Sequence, residues 1–158
     1  MAALSPRGVL MSRLFFIVML RTCLGLAFGF FSHCAYSSET NASLYQALGG
    51  EEKLKPMVHL FVRKLVGDTR ISKYFEGTNL KLLEEHLYEQ FCELAQGPCV
   101  YHGDPMREVH KGMKLKQADF NALAEDLQDA MQESGIAYST QNKLIAKLAP
   151  MYLDIVTQ

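Results

Sequence analysis

The stretch YHGDPMREVHKGM, Tyr101 to Met113, sets one histidine, His110, among Met106, Val109 and Met113. On a single helical turn Met106 stands beside His110 at i,i+4 and Val109 beside Met113, so the imidazole emerges from an apolar surface. Gly103, Pro105 and Gly112 break the run too often for a long helix. Two roles suit such a histidine. In one it is a core residue whose ring nitrogens find backbone partners, because an imidazole buried without them costs roughly 1 to 3 kcal/mol. In the other it is a metal ligand beneath a flat apolar group.

A second histidine, His86, precedes His110 by 24 residues and falls in a helix predicted over 80–95. There Leu80, Leu83, Leu87, Phe91 and Leu94 align as an apolar stripe. The stripe centres near Leu87, and His86 lies about 100° from it on the helix margin, where it faces either a metal or water. A haem satisfies the second role of His110. It presents a flat apolar face to Met106, Val109 and Met113, and an iron to one imidazole nitrogen.

Five further segments position these two walls. SLYQALGG at 43–50 reads as a short helix capped by Ser43, with Gln46 at capping-box spacing, and ended by Gly49-Gly50. From Glu51 a longer helix places Leu54, Met57, Val58, Phe61, Val62 and Leu65 on one face, with Pro56 near its start. TRISKYF forms a turn carrying Ile71, Tyr74 and Phe75 toward Asn79, a helix N-cap. Gln117 to Ser134 turns Phe120, Leu123, Leu127 and Met131 inward and stops at Gly135. Thr140 to Val156, capped by Ser139 and kinked at Pro150, presents Leu144, Ile145, Leu148, Met151, Tyr152 and Ile155. No strand-like alternation occurs, and the domain is read as all-α.

With 158 residues, 49% hydrophobic and 21% charged, the chain suits a single core. Residues 1–37 stand apart, with Arg7, Arg13 and Arg21, no acidic residue, and the apolar runs LFFIVML and LGLAFGFF. That make-up predicts a secretory signal cleaved after Ser37, or an anchor if it is retained, and so an exported, periplasmic domain over 38–158. Bulky His33 before Cys34 disfavours a lipoprotein. Without the leader the domain keeps 13 basic against 17 acidic residues, a net charge of −4, which argues against nucleic acid as a partner. Cys92 and Cys99 then remain, either as two thiols or as a disulfide that an oxidising compartment preserves.

The pair GG at 49–50, the run FVRKLVGDTRISKYFEGTN at 61–79, GP at 97–98, and the spacing Tyr101, Gly103, Met106, His110 together resemble the group I truncated haemoglobins, over about residues 43–156. The resemblance implies a two-over-two helical sandwich holding haem b, iron protoporphyrin IX. It makes His110 the iron ligand on one side and Phe75 the phenylalanine packed on the porphyrin. Phe61, Leu83, Leu87 and Phe91 match other pocket positions. Tyr101 is expected to bond a haem propionate or to pack its loop, and Arg107 and Lys111 to pair with propionates or to be solvated. Cyanobacterial members of the group are similar in carrying a histidine at the position of His86, where it binds the iron opposite the first ligand at rest.

Three departures qualify the match. Val62 stands where the family commonly has a tyrosine that bonds iron-held oxygen, Leu87 where a glutamine is usual, and Gln96 where a glycine is frequent. One lost bond of roughly 1 to 1.5 kcal/mol weakens a polar ligand about tenfold, unless His86 or Gln90 supplies a donor. The expected function is reversible binding of a diatomic gas, oxygen, nitric oxide or carbon monoxide, by a monomer. Nitric oxide dioxygenation, peroxide handling and one-electron transfer are the alternatives, and these require an external redox partner.

Overall fold

A computed structural model of the protein describes residues 43–156, so the leader expected over 1–37 lies outside the described residues. The elements are α1 (Leu44–Ala47), α2 (Gly50–Gly67), a 3₁₀ turn (Ser72–Phe75), α3 (Leu80–Leu94), α4 (Met106–Val109), α5 (Gln117–Glu133), α6 (Tyr138–Leu148), a second 3₁₀ turn (Ala149–Met151) and α7 (Tyr152–Ile155). No strand occurs among the described residues. The long helix α2 packs against both α3 and α5, and α6 packs against α5 and α3, which makes the two-over-two sandwich.

The apolar face read for α2 is the centre of the core. Leu54, Met57, Val58, Phe61 and Leu65 are buried, against Phe91 of α3, Leu127 and Met131 of α5 and Leu144 of α6. Gly49 turns the chain into α2 with φ of 90°, and a Cβ there would press on Lys53. Helix α2 begins at Gly50, so Pro56 lies in its interior rather than near its start. The ring costs little there because Pro56 is exposed and the carbonyl of Glu52, which loses its partner, faces water. Lys64 joins Glu133 of α5 at 2.6 Å, and Arg70 joins Asp68 at the end of α2 to Glu125 of α5.

Asn79 caps α3 by accepting from the backbone N–H of Leu82 at 3.3 Å. The other end closes on itself: the Gly97 N–H donates to the carbonyl of Cys92 at 2.7 Å and the Gln96 N–H to that of Glu93 at 2.9 Å. This pattern needs a left-handed residue at 96, and Gln96 takes φ of 61°. A glycine takes that conformation without strain. Next to it Gly97 has no room for a Cβ, which would meet Cys92 Sγ and the ring of Tyr45. Cys92 and Cys99 form a disulfide across this corner, with their Cα atoms 5.7 Å apart. Closing so short a loop contributes roughly 2 to 3 kcal/mol in the chain-entropy account.

Two boundaries differ from the sequence expectation. Helix α6 starts at Tyr138 with Ala137 at its cap, not Ser139. The Ala137 carbonyl takes the N–H groups of Thr140 and Gln141, and the buried Gln141 amide holds the Ile136 carbonyl at 2.8 Å. At Pro150 the last helix does not merely kink: it passes through the 3₁₀ turn into α7, because the proline has no N–H for the Ala146 carbonyl.

The larger departure concerns α3. Of its stripe only Phe91 is fully buried; Leu83, Leu87 and Leu94 are half-buried and Leu80 is exposed. The helix is ordered by its margin against α2 and α6, and its apolar face opens onto a cavity.

Because Gln96 holds a backbone conformation that costs a side-chain-bearing residue about 1 to 2 kcal/mol, Gln96→Gly should stabilise the fold by about 1 kcal/mol. Thermal unfolding should then shift upward by a few degrees; a variant that melts no higher than the parent contradicts the strained corner.

Candidate functional site

The cavity of about 250 Å³ lies between α3 on one side and the α4 segment on the other, with α5, α6 and α7 behind. From α3 it receives Leu83, His86, Leu87, Gln90 and Phe91; from the α4 segment Met106, Val109, His110 and Met113. Phe61 of α2, Phe75 of the 3₁₀ turn and Tyr101 complete the part read from the sequence. One expected member is absent. Val62 is buried but does not line the cavity, because adjacent helical positions point about 100° apart and the valine methyls stop short where a tyrosine ring would extend.

Met106 is the first residue of α4 and His110 follows its last, as the C-cap. The helix is one turn long, begun by Pro105, whose carbonyl takes the N–H groups of Glu108 and Val109, and ended near Gly112, which has φ of 80°. On this turn His110 Nδ1 lies 2.8 Å from the carbonyl oxygen of Met106. A carbonyl only accepts, so in the neutral ring Nδ1 carries the donated proton and Nε2 the lone pair. The core-residue alternative is thereby half met: one ring nitrogen has a backbone partner, and the other is left on a wall of methionine and valine.

Six lining side chains carry polar atoms: Tyr74, His86, Gln90, Tyr101, His110 and Asp119. Tyr74 donates its hydroxyl to Asp119 at 3.2 Å, and Asp119 also accepts from the backbone N–H of Lys116 at 2.9 Å, which starts α5. Tyr101 donates to the carbonyl of Asp104 at 3.0 Å and so packs its loop. Burial pushes this phenol up from its ordinary range and keeps it a donor. Gln90 Nε2 reaches only the Met106 sulfur, at 3.5 Å. His86 is half-buried at the mouth, its ring edge-on to Tyr101 with centroids 6.1 Å apart. The cavity thus offers unengaged nitrogen at two histidines, one on each wall, within an otherwise apolar lining.

Charged residues stay outside. Arg107 pairs with Asp154 at 2.6 Å and fastens α7 to α4, and Lys111 lies 3.6 Å from Glu108. His59 joins Glu84 at 2.9 Å. Glu89 accepts from the backbone N–H of His102 at 2.9 Å and meets its Nδ1 at 3.0 Å, and these bonds hold the Glu89 carboxyl below the usual carboxylate range. That clasp ties the Tyr101 loop to α3 beside the mouth. Among the described residues no group of three or more histidine, cysteine, aspartate or glutamate side chains is placed to hold a metal ion. The histidines therefore suit a metal that brings its own equatorial donors, as haem iron does.

Sequence reading missed how much of the cavity comes from behind. Phe120 and Leu123 of α5, Ile145 and Leu148 of α6, and Met151 and Ile155 near α7 all line it, although their spacing marked them only as inward-facing. Gln90, named from the sequence as a candidate donor, interrupts the stripe three residues after Leu87 yet is only 8% exposed.

The profile of the bacterial-like globin family matches residues 43–157. The chain is 33% identical over 116 residues to the group 1 truncated haemoglobin GlbN of Mycolicibacterium paratuberculosis, covering 73% of this chain and 85% of that one. It is also 33% identical over 101 residues to a group 1 truncated haemoglobin of Tetrahymena pyriformis, covering 64% of this chain and 84% of that one. The crystal structure of the Tetrahymena pyriformis truncated haemoglobin in its Fe(III) form superposes with a TM-score of 0.71 at 29% identity, over 74% of this chain and all of that one.

The Tyr101 ring lies so close over Gly103 that a Cβ there would overlap its hydroxyl end. Gly103→Ala should displace the ring, break its bond to Asp104 and destabilise the fold by about 1 to 3 kcal/mol in denaturant unfolding. Unchanged stability contradicts the packing role of Tyr101.

Proposed function

Because this chain belongs to the bacterial-like globin family and is a haem-binding truncated haemoglobin of group 1, we propose that it holds haem b between α3 and α4 and reversibly binds a diatomic gas there. One observation carries this reading: His110 donates Nδ1–H to the Met106 carbonyl at 2.8 Å, and Nε2 is the remaining free nitrogen of an apolar wall. When bound, the haem would supply an iron for His110 to hold and a place at that iron for a small ligand.

The chain's own residues do the rest. The bond to Met106 fixes the His110 tautomer and ring plane and makes Nε2 a better donor. Met106, Val109 and Met113 cover one face of the slot and Leu83, Leu87 and Phe75 the other, which excludes water and limits oxidation. Oxygen, nitric oxide and carbon monoxide all fit such a wall, since each is small and largely apolar.

His86 is read as a second residue that would hold the iron in the resting protein. It stands on the α3 wall with no hydrogen-bonded partner among the described residues, where a turn of the side chain takes it to the slot or to water. A gas would then compete with it, and the apparent affinity would fall by the fraction of molecules with His86 attached. The same two-sided arrangement favours a second reading, one-electron exchange with an external partner, for which unchanged ligation in both oxidation states lowers the reorganisation needed. Nitric oxide dioxygenation likewise requires an external electron donor. Residues 1–37 are read as an export leader, and the disulfide supports that reading because such a bond persists in an oxidising compartment.

The ferrous protein without added gas should show low-spin, six-coordinate optical bands, and His86→Leu should convert them to five-coordinate, high-spin bands with faster carbon monoxide binding. A parent that is already five-coordinate contradicts the two-histidine state and leaves His110 alone on the iron.

A further inference from the structure

Gln90 is polar, nine-tenths buried and placed on the cavity wall, and its amide nitrogen has for partner only the sulfur of Met106 at 3.5 Å. A thioether is a weak acceptor, so the amide nitrogen is only weakly engaged. Its place is as telling as its burial. Gln90 lies one turn beyond His86 on α3, and Met106 one turn before His110 on α4. Gln90 and His86 therefore share one side of α3 at i,i+4, and both line the cavity together with Met106 and His110.

The other candidates for a donor in the slot are accounted for. Val62 does not line it, and Leu83 and Leu87 have nothing to donate. The hydroxyls of Tyr74 and Tyr101 are already given to Asp119 and Asp104. We propose that Gln90 is the residue that hydrogen-bonds the gas ligand: its amide leaves the Met106 sulfur and donates to the outer atom of a diatomic molecule held at the iron. Oxygen carries substantial negative charge in that position and is the better acceptor, so the exchange favours oxygen over carbon monoxide. The inference rests on the haem and gas reading given above, and concerns which side chain sets the selectivity of that site.

Gln90→Met tests it, since methionine is unbranched, of similar length and without a donor. In the carbonmonoxy form the C–O stretching band should move to higher wavenumber, because a donor at the oxygen end weakens that bond and its loss restores it. Oxygen dissociation should quicken roughly tenfold with little change for carbon monoxide. The haem-free variant should melt no lower than the haem-free parent, because a weakly engaged buried amide has been replaced by an apolar chain. A lower melting temperature with an unmoved C–O band assigns Gln90 a purely structural role and overturns the proposal. So does a band that moves in His86→Leu and stays in Gln90→Met. If the parent with added haemin forms no Soret band and no carbon monoxide adduct, the haem reading itself fails, and that failure is seen before any variant is compared.

Discussion

A single hydrogen bond from His110 Nδ1 to the Met106 carbonyl, 2.8 Å long and closed within one helical turn, decides what this cavity is for. It fixes the proton on one ring nitrogen and leaves the other as a donor in surroundings where no neighbouring side chain satisfies it. A four-residue helix has little stability of its own, so the turn must be held from outside. Arg107 to Asp154 fastens it to α7, and the Tyr101 loop before it is tied to α3 by the Glu89 clasp and by the Cys92–Cys99 disulfide.

The apolar stripe of α3 is the other half of the design. In a helix that only packs on a core, Leu83 and Leu87 would be as buried as Phe91; here they face an interior gap. Uncovered apolar surface of this kind contributes about 25 cal/mol for each Å² once covered, so a flat apolar group entering the slot stabilises the fold as well as binding to it. Cofactor affinity and fold stability are consequently linked, and both depend on α3 and α4 keeping their separation. Polar lining is sparse, and for that reason each polar atom present has a legible purpose: three hydroxyl or carboxyl groups fasten loops, and two imidazoles and one amide remain for chemistry.

Much of this was legible in the chain. Apolar residues at helical spacing located α2, α3 and α5 to within a residue, and methionines around His110 marked the wall it stands in. Of the side chains expected at the pocket all but Val62 line it, from Phe61 through His86 and His110 to Met113, because periodicity fixes which face of a helix is apolar. Periodicity does not say what covers that face. Phe120 and Ile145 read as core, since the spacing that points a residue at a neighbouring helix also points it at a cavity. Val62 was misplaced because its neighbour Phe61 turns into the slot and one residue's rotation decides which of the two does so. Ser139 has the chemistry of a cap but not the backbone position, which the buried Gln141 amide assigns to Ala137. The left-handed Gln96 was visible only as a missing glycine until the corner it closes was seen.

The claim that His110 Nε2 anchors the cofactor iron is tested most directly by a cavity variant, His110→Gly, titrated with haemin in the absence and presence of free imidazole. The account predicts that the variant binds haem weakly, without the parent's axial nitrogen signature in resonance Raman spectra, and that added imidazole restores that signature by occupying the vacated place. A variant that binds haem as tightly as the parent, with the same axial ligation and no response to imidazole, would contradict it.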